Sequence, residues 1–249
     1  MSKQYNLVAD QYDMSFQLSP YRLHIEAYSV FNLVGDVTDQ QVLELATGTG
    51  YYARAMRRQG AARVVGVDIA DQMIEIGKMA EQAEPLGIEY HIQDVTQFKP
   101  DTLFDLALAV YLLHYAPTKE ALFAMCKAIA NDIRSGGRFV TYQLNPNISR
   151  EPDYYLKEPG LILKVTEPTP VDGEPMPFSA KIGDMVMPEI TAYRWDKETV
   201  DAALQAAGFT DIHWVQPQLS PAGAEQYGAE TFAGYLRQPH AVLIECVKQ

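Results

Sequence analysis

Cysteine is nearly absent from this chain: Cys126 and Cys246 are the only two in 249 residues, far apart and without metal-ligand neighbours. That argues against a disulfide framework and a zinc site, so no metal is expected and a reducing compartment is the simpler setting. No run approaches the ~18 consecutive apolar residues that a membrane-spanning helix takes. The opening Met1-Ser2-Lys3-Gln4-Tyr5 lacks the apolar centre of a signal peptide. The expectation is a soluble, cytoplasmic protein with no membrane partner. Positive charge is also scarce, with 20 Lys and Arg against 32 Asp and Glu and a net charge of −12 spread along the whole chain. Such a field repels a phosphate backbone, so no nucleic acid is expected as a partner. The one basic cluster, Arg54, Arg57, Arg58 and Arg63, reads as a solvated helix face and its exit.

What is present is an alternation of apolar runs and helix-period segments. Strands are expected at Gln41–Ala46, Arg63–Val67, Ile88–Ile92, Leu106–Val110 and Arg138–Leu144. Helices are expected at Tyr51–Gln59, Asp71–Ala83 and Lys119–Ile133, the last stopped by Ser135-Gly136-Gly137. The alternation breaks at Pro146–Pro188, which is rich in proline and aromatics and has no clean helix. A loop of that length inside a compact domain implies a functional cap, with room for short strands. Order returns with a helix Lys197–Ala207, a strand near Thr210–Val215, a short helix Ala224–Leu236 and a last strand Ala241–Val247. The fold class is therefore α/β: a doubly wound, mostly parallel seven-stranded sheet forming one domain over 1–249. Residues 1–35 make a helical lid, 36–145 the cofactor-binding core, 146–195 the cap and 196–249 the rest of the core.

The informative stretch is Val42-Leu43-Glu44-Leu45-Ala46-Thr47-Gly48-Thr49-Gly50. Glycines at a strand-to-helix turn let the backbone approach a ligand at the carboxyl edge of the sheet. A tight turn alone would use the same residues, and Gly48 to Ala53 also fits the dinucleotide pattern G-x-G-x-x-A, so a nicotinamide enzyme has to be weighed. Two features favour another ligand. Glu44 puts an acid inside the first strand, which suits an ammonium and a sulfonium and not a pyrophosphate. Further acids follow at the next strand ends: Asp68, 18 residues beyond Gly50, where an acid can accept both ribose hydroxyls, and Asp94, which with Val95 can read the edge of an adenine.

Here the chain resembles the class I S-adenosylmethionine-dependent methyltransferases. Glu44 to Gly50 resembles their first motif, Val65-Gly66-Val67-Asp68-Ile69 the second, Gln93-Asp94-Val95 the third and Phe104-Asp105-Leu106 to Tyr111 the fourth. Arg134 to Phe139 resembles the loop before their fifth strand. The resemblance spans about residues 36–145 and implies a Rossmann-like methyltransferase fold with S-adenosylmethionine as cofactor. It places Glu44, Ala46, Thr47, Gly48, Gly50, Val110 and Tyr111 around the methionine part and Asp68 on the ribose. Ile69 and Met73 would sandwich the adenine, Asp94 and Val95 read its edge, and Tyr5 and Tyr12 form an aromatic N-terminal lid. One departure is Ala46-Thr47 where the family has Gly-Cys or Gly-Ser; alanine leaves less room beside the methionine. A looser resemblance, to the toxoflavin-pathway N-methyltransferases, rests on Ile25-Glu26-Ala27-Tyr28, Tyr111 to Tyr115, Gln218 to Pro221 and Ile244-Glu245-Cys246. It implies a small heteroaromatic acceptor and natural-product biosynthesis.

Methyl transfer from a sulfonium is an in-line displacement, so the protein mainly aligns the reactants and excludes water. His114, just past the fourth strand, is the candidate general base, with pocket lining as its alternative role. Phe16, Tyr115, Tyr142, Tyr154, Tyr155, Phe178 and Trp195, with Tyr193, are the candidate substrate-binding aromatics, which suggests a planar small-molecule acceptor methylated on nitrogen or oxygen. The same aromatics would serve the cap's own small core or a contact in a homodimer. Two rival readings stay open: a methyltransferase acting on a macromolecule, and a nicotinamide-dependent enzyme or non-catalytic nucleoside-binding protein on the same fold.

Overall fold

The computed structural model describes residues 15–16, 18–157, 159–165, 169–182 and 185–249. Near its start a π-helical turn, Arg22–Ala27, runs directly into α1, Tyr28–Val34. Strands and helices then alternate: β1 Gln41–Leu45, α2 Tyr51–Arg58, β2 Arg63–Asp68, α3 Asp71–Ala83, β3 Glu89–Ile92, β4 Phe104–Val110, α4 Lys119–Asp132 and β5 Ile133–Leu144. After the cap come α5 Lys197–Ala206, β10 Phe209–Val215, α6 Pro221–Tyr227, α7 Ala229–Arg237 and β11 Ala241–Lys248.

One seven-stranded sheet has the order β10-β11-β5-β4-β1-β2-β3. β1 to β5 pair in parallel, and β11 lies antiparallel between β5 and β10. Strands covered on both faces carry apolar residues on both: Leu43, Leu45, Val65, Val67, Ala107 and Phe139 face α4 and α5. Val42, Val64, Leu106, Leu108, Val140 and Tyr142 face α1, α2 and α7. Because successive side chains alternate, Glu44 shares the face of Val42 and lies toward α2. β1 sits between β2 and β4, so chain crosses away from it in both directions and the loops after β1 and β4 meet at one edge. That edge is where open α/β sheets bind ligands.

The structure corrects two sequence expectations and fills in a third. The Ser135-Gly136-Gly137 stretch lies inside β5, whose first residue is Ile133, and not in a loop after α4. The helix expected over Ala224–Leu236 is two, because Gly228 takes φ 80° between α6 and α7 and breaks the helical course. The stretch after β5 holds a four-stranded antiparallel sheet: β6 Leu161–Leu163, β7 Glu174–Ile182, β8 Met185–Val186 and β9 Ile190–Arg194, with β7 pairing to all three others. It is fastened to the core by polar contacts whose partners are distant in sequence. Arg150 makes a two-pronged pair with Glu174 (2.6 and 3.0 Å), Arg194 Nε donates to the Pro146 carbonyl (2.7 Å), and Trp195 Nε1 donates to the Ala116 carbonyl (3.2 Å).

Under the first glycine-rich turn, the Tyr90 ring of β3 fills space left by glycines. A Cβ on Gly66 would stand 2.9 Å from Thr47 Oγ1 and 3.0 Å from both Thr47 Cγ2 and Tyr90 Cδ1; one on Gly50 would stand 2.1 Å from the Tyr90 hydroxyl. Gly66→Ala should therefore lower stability by about 1–3 kcal/mol, the usual cost of overpacking. The check is urea unfolding: the midpoint should fall with the slope unchanged. An unaltered midpoint would show that Tyr90 and Thr47 are free to move aside.

Candidate functional site

The loop after β1 is held by two buried or half-buried acids. Glu44 is 2% exposed, and its Oε2 accepts from Thr47 Oγ1 (2.5 Å) and from the Ala53 amide in the first turn of α2 (2.8 Å). Burial pushes its pKa up to about 8, against the pull of those two hydrogen bonds. Asp68, at the end of β2, accepts from the Gly48 amide through Oδ2 (2.8 Å) and from the Ala70 amide through Oδ1 (2.8 Å). Desolvation raises its pKa as well, with the amides opposing. The turn itself is left-handed at Ala46 (φ 53°), Gly48 (φ 54°) and Gly50 (φ 80°). For Ala46 that conformation costs about 1–2 kcal/mol, a strain glycine would not carry.

Beside this loop, Ala70 and Met73 form an apolar shelf with half-buried Ile69 near it, and Met187 of the cap packs on Ala70 and Met73. Asp94 stands at the end of β3, where it accepts from the Thr96 amide (2.8 Å) and hydroxyl (2.7 Å). Burial works to raise its pKa, the Thr96 bonds work to lower it, and the net value lies below the ordinary one. Val95 and Val110 are buried in the core.

Next to the loop after β4 lies a cavity of about 920 Å³, counting the space open at its mouth. Its roof is apolar and comes from the cap: Leu161, Leu163, Phe178, Met187, Ile190 and Ala192. Its floor is polar: Tyr21, Arg22, Tyr111, His114, Tyr115 and His240. Under the floor sits Glu26, 0% exposed, whose carboxylate accepts from Tyr52 (2.9 Å) and Tyr111 (2.8 Å) and pairs with Arg22 Nε at 3.3 Å. Burial raises the Glu26 pKa, and the Arg22 cation and the two phenols oppose that shift. Tyr111 is held at φ 64°, its amide bonded to the Tyr142 carbonyl (2.7 Å). Its hydroxyl also touches Tyr21 (3.0 Å) and His240 Nε2 (3.2 Å).

His114 lies in a 3₁₀ turn, Leu113–Tyr115, after β4, and is 4% exposed. The Leu144 amide donates to its Nδ1 at 3.3 Å, and burial lowers its pKa to about 3. A ring that accepts at Nδ1 carries its proton on Nε2.

The sequence candidates divide on this geometry. Glu44, Thr47, Gly48, Gly50 and Asp68 come together at the loop after β1, with Asp94 and Met73 beside it. Tyr111, His114, Tyr115 and Phe178 line the cavity. Tyr142 lies one layer beneath, its hydroxyl 2.9 Å from Tyr21. Four candidates are corrected. Phe16 stacks on Tyr51 with centroids 3.7 Å apart, off the cavity wall. Tyr154 and Tyr155 turn their hydroxyls to the carbonyls of Gly234 and Gln238 near α7, and Trp195 packs into the core below β9. Tyr154, Tyr155 and Trp195 use their polar atoms to fasten the cap, and Phe16 has only its ring to pack. Tyr5 and Tyr12 fall outside the described residues. Sequence reading missed Tyr21, Arg22, Glu26, His240 and the aliphatic roof. The Arg22–Glu26 spacing on one helical face was a legible signal; His240, alone before the last strand, gave none.

Residues 42–137 match the family described as a methyltransferase domain. The ubiquinone biosynthesis O-methyltransferase of Coxiella burnetii is 28% identical over 109 residues, which is 43% of this chain and 45% of that protein. The chain therefore spans about half the length of the curated relatives it matches. Among solved structures, the CcbJ methyltransferase of Streptomyces caelestis superposes with TM-score 0.67 at 16% identity, covering 100% of this chain and 99% of that one. A protein of Listeria monocytogenes described as an S-adenosylmethionine-dependent methyltransferase gives 0.65 at 20% identity, over 90% and 96%. The chain has the Rossmann-like fold of the class I methyltransferases.

Glu44 sets a pH test of this loop. Its pKa is about 8 in the folded chain against 4.5 ordinarily, so the fold holds the proton more tightly than the unfolded chain. That contribution is complete below pH 4.5 and is lost as pH rises through about 8. In Glu44→Gln, whose amide oxygen can still accept from Thr47 and Ala53, stability should lose this downward slope. Urea midpoints of both proteins across that range would check it; parallel profiles would place the Glu44 pKa near its ordinary value.

Proposed function

We propose that this methyltransferase domain transfers a methyl group from S-adenosylmethionine to a nitrogen or oxygen of a small, flat, partly apolar molecule held in the cavity under the cap. The observation that carries the reading is the juxtaposition at the β1–β4 edge. The glycine loop and its acids hang from β1 and β2, and Tyr111 and His114, which follow the neighbouring β4, line the cavity.

The residues present fit that cofactor. Asp68 and Asp94 offer carboxylates for ribose hydroxyls and an amine, with Ala70 and Met73 as an apolar shelf between them. The acidic set suits a sulfonium cation. It fits a dinucleotide less well, because the Gly48 amide that a pyrophosphate would need already donates to Asp68. The bound group would supply a methyl already activated for displacement. The chain's own contribution is then to hold the acceptor in line and keep water out, which is worth up to roughly 7–11 kcal/mol of barrier. Leu161, Leu163, Phe178 and Ile190 cover an apolar face of the acceptor, and the polar floor fixes its edge. His114 enters as a neutral donor in place of the general base expected from sequence: its Nδ1 is engaged by Leu144, and burial opposes a second proton. The O-methyltransferase in the name of the curated relatives supports oxygen as one candidate atom.

Asp68→Ala should weaken S-adenosylmethionine binding by about tenfold or more, the equivalent of one charge-assisted hydrogen bond or better, and Asp68→Asn by less. Calorimetry on both variants, with folding checked by circular dichroism, measures this. Wild-type affinity in folded Asp68→Ala would remove Asp68 from the site, and absence of binding by the parent protein would remove the reading. Screening flat phenols and heteroaromatics for products one methyl heavier identifies the acceptor class.

A further inference from the structure

The hydrogen bonds of the cavity floor have a direction, and it follows from one group. The Tyr111 hydroxyl donates its proton to Glu26 Oε2 at 2.8 Å. The Tyr111 oxygen is then an acceptor, and its contacts at 3.0 Å to Tyr21 and 3.2 Å to His240 Nε2 must be donated to it. His240 therefore carries its proton on Nε2, and the Tyr235 hydroxyl 3.0 Å from Nδ1 is the donor there. Tyr21, having given its proton to Tyr111, accepts from Tyr142 at 2.9 Å. The lone pairs of Tyr111 and His240 Nδ1 are thus consumed inside the floor. Arg22 has no lone pair to offer. The other imidazole of the lining is His114. Its Nδ1 accepts from the Leu144 amide at 3.3 Å, and among the described residues nothing else hydrogen-bonds to it, so its Nε2–H is left for the cavity it lines. The lining also carries the hydroxyls of Ser15, Ser19 and Tyr115.

We propose that this cavity selects a flat ring system that turns a hydrogen-bond-accepting edge (a ring nitrogen, a carbonyl oxygen or an oxyanion) to His114 Nε2–H. The inference rests on the proposed methyl transfer only for calling the bound molecule a substrate; the polarity of the floor stands on the hydrogen bonds. An edge that is itself an N–H or O–H donor would meet His114 donor to donor and leave both groups unpaired in an apolar enclosure. That mismatch is what lets such sites reject near-isosteres. It also gives His114 a function compatible with its burial: it orients the acceptor and takes no proton from it.

Three bicyclic probes of similar shape test the proposal without the natural acceptor: isoquinoline, which accepts; naphthalene, which is neutral; and indole, which donates. Their dissociation constants are measured by NMR titration of the protein with S-adenosylhomocysteine present. Isoquinoline should bind about two- to tenfold more tightly than the other two, the increment of one net hydrogen bond. In His114→Phe that margin should vanish while naphthalene affinity holds. Indole equal to or above isoquinoline, a margin that survives in His114→Phe, or no binding by any probe would overturn the proposal. Ring ¹⁵N shifts of His114 in the unaltered protein provide a check that needs no variant: a proton on Nε2 supports the proposal, and a proton on Nδ1 overturns it. Failure of the methyltransferase reading is seen separately, as absence of S-adenosylhomocysteine binding, and the probe ranking is then read on the free protein.

Discussion

A buried carboxylate at the end of β1 governs the ligand edge of this protein. Glu44 could not remain at 2% exposure without partners, and the two it has, the Thr47 hydroxyl and the Ala53 amide, belong to the loop and to the helix that follows it. Strand, turn and helix are thereby locked in one geometry. Thr47 is held against Gly66, which admits no side chain, and Tyr90 closes the same space from β3. The left-handed Ala46 and the amide of Gly48 offered to Asp68 follow from the same locked turn. Removing Glu44 would release Thr47 and the start of α2, and with them the turn on which cofactor binding is proposed to depend.

Glu26 does for the cavity what Glu44 does for the loop. Both are acids buried on the face of the sheet packed by α1 and α2, and both organise hydroxyls. Glu26 differs in having a cation, Arg22, one turn before it. In a low-dielectric enclosure a carboxylate in such company polarises the phenols attached to it and makes their orientation unique. The strained Tyr111 backbone persists because its amide and its hydroxyl are both tied down, at Tyr142 and at Glu26. Strain and buried charge concentrate where the sheet edge meets the cavity, and that concentration supports the placement of a reaction there.

The cap is better described as a small sheet anchored by polar bolts than as an aromatic lid. Tyr154, Tyr155 and Trp195 present large apolar bodies, but their polar tips find backbone carbonyls, as buried tyrosine and tryptophan generally must. The surface facing the cavity is instead mostly aliphatic, with Phe178 among it. Met187 reaches across to Ala70 and Met73, so the cap touches that apolar shelf and the cavity together. Occupancy of one site should therefore be felt at the other through this contact.

The sequence by itself determined the alternating strands and crossover helices of the sheet and the loop residues Glu44, Gly48, Asp68 and Asp94. Those signals are local: period-two and period-3.6 patterns, and acids placed directly at strand ends. The four-residue spacing of Arg22 and Glu26 was legible there too, though nothing in it made them parts of a site. Only the tertiary structure decided which aromatics face the cavity, because Phe16, Tyr154 and Phe178 look alike in sequence and differ only in what lies beside them. It alone gave the antiparallel cap sheet, whose partners lie across turns with no helical or alternating signature strong enough to read. It alone fixed the proton position on His114, which depends on an amide thirty residues away at Leu144. A hydrogen bond's direction is a property of two groups and their shared burial, and that information exists only once the chain has folded.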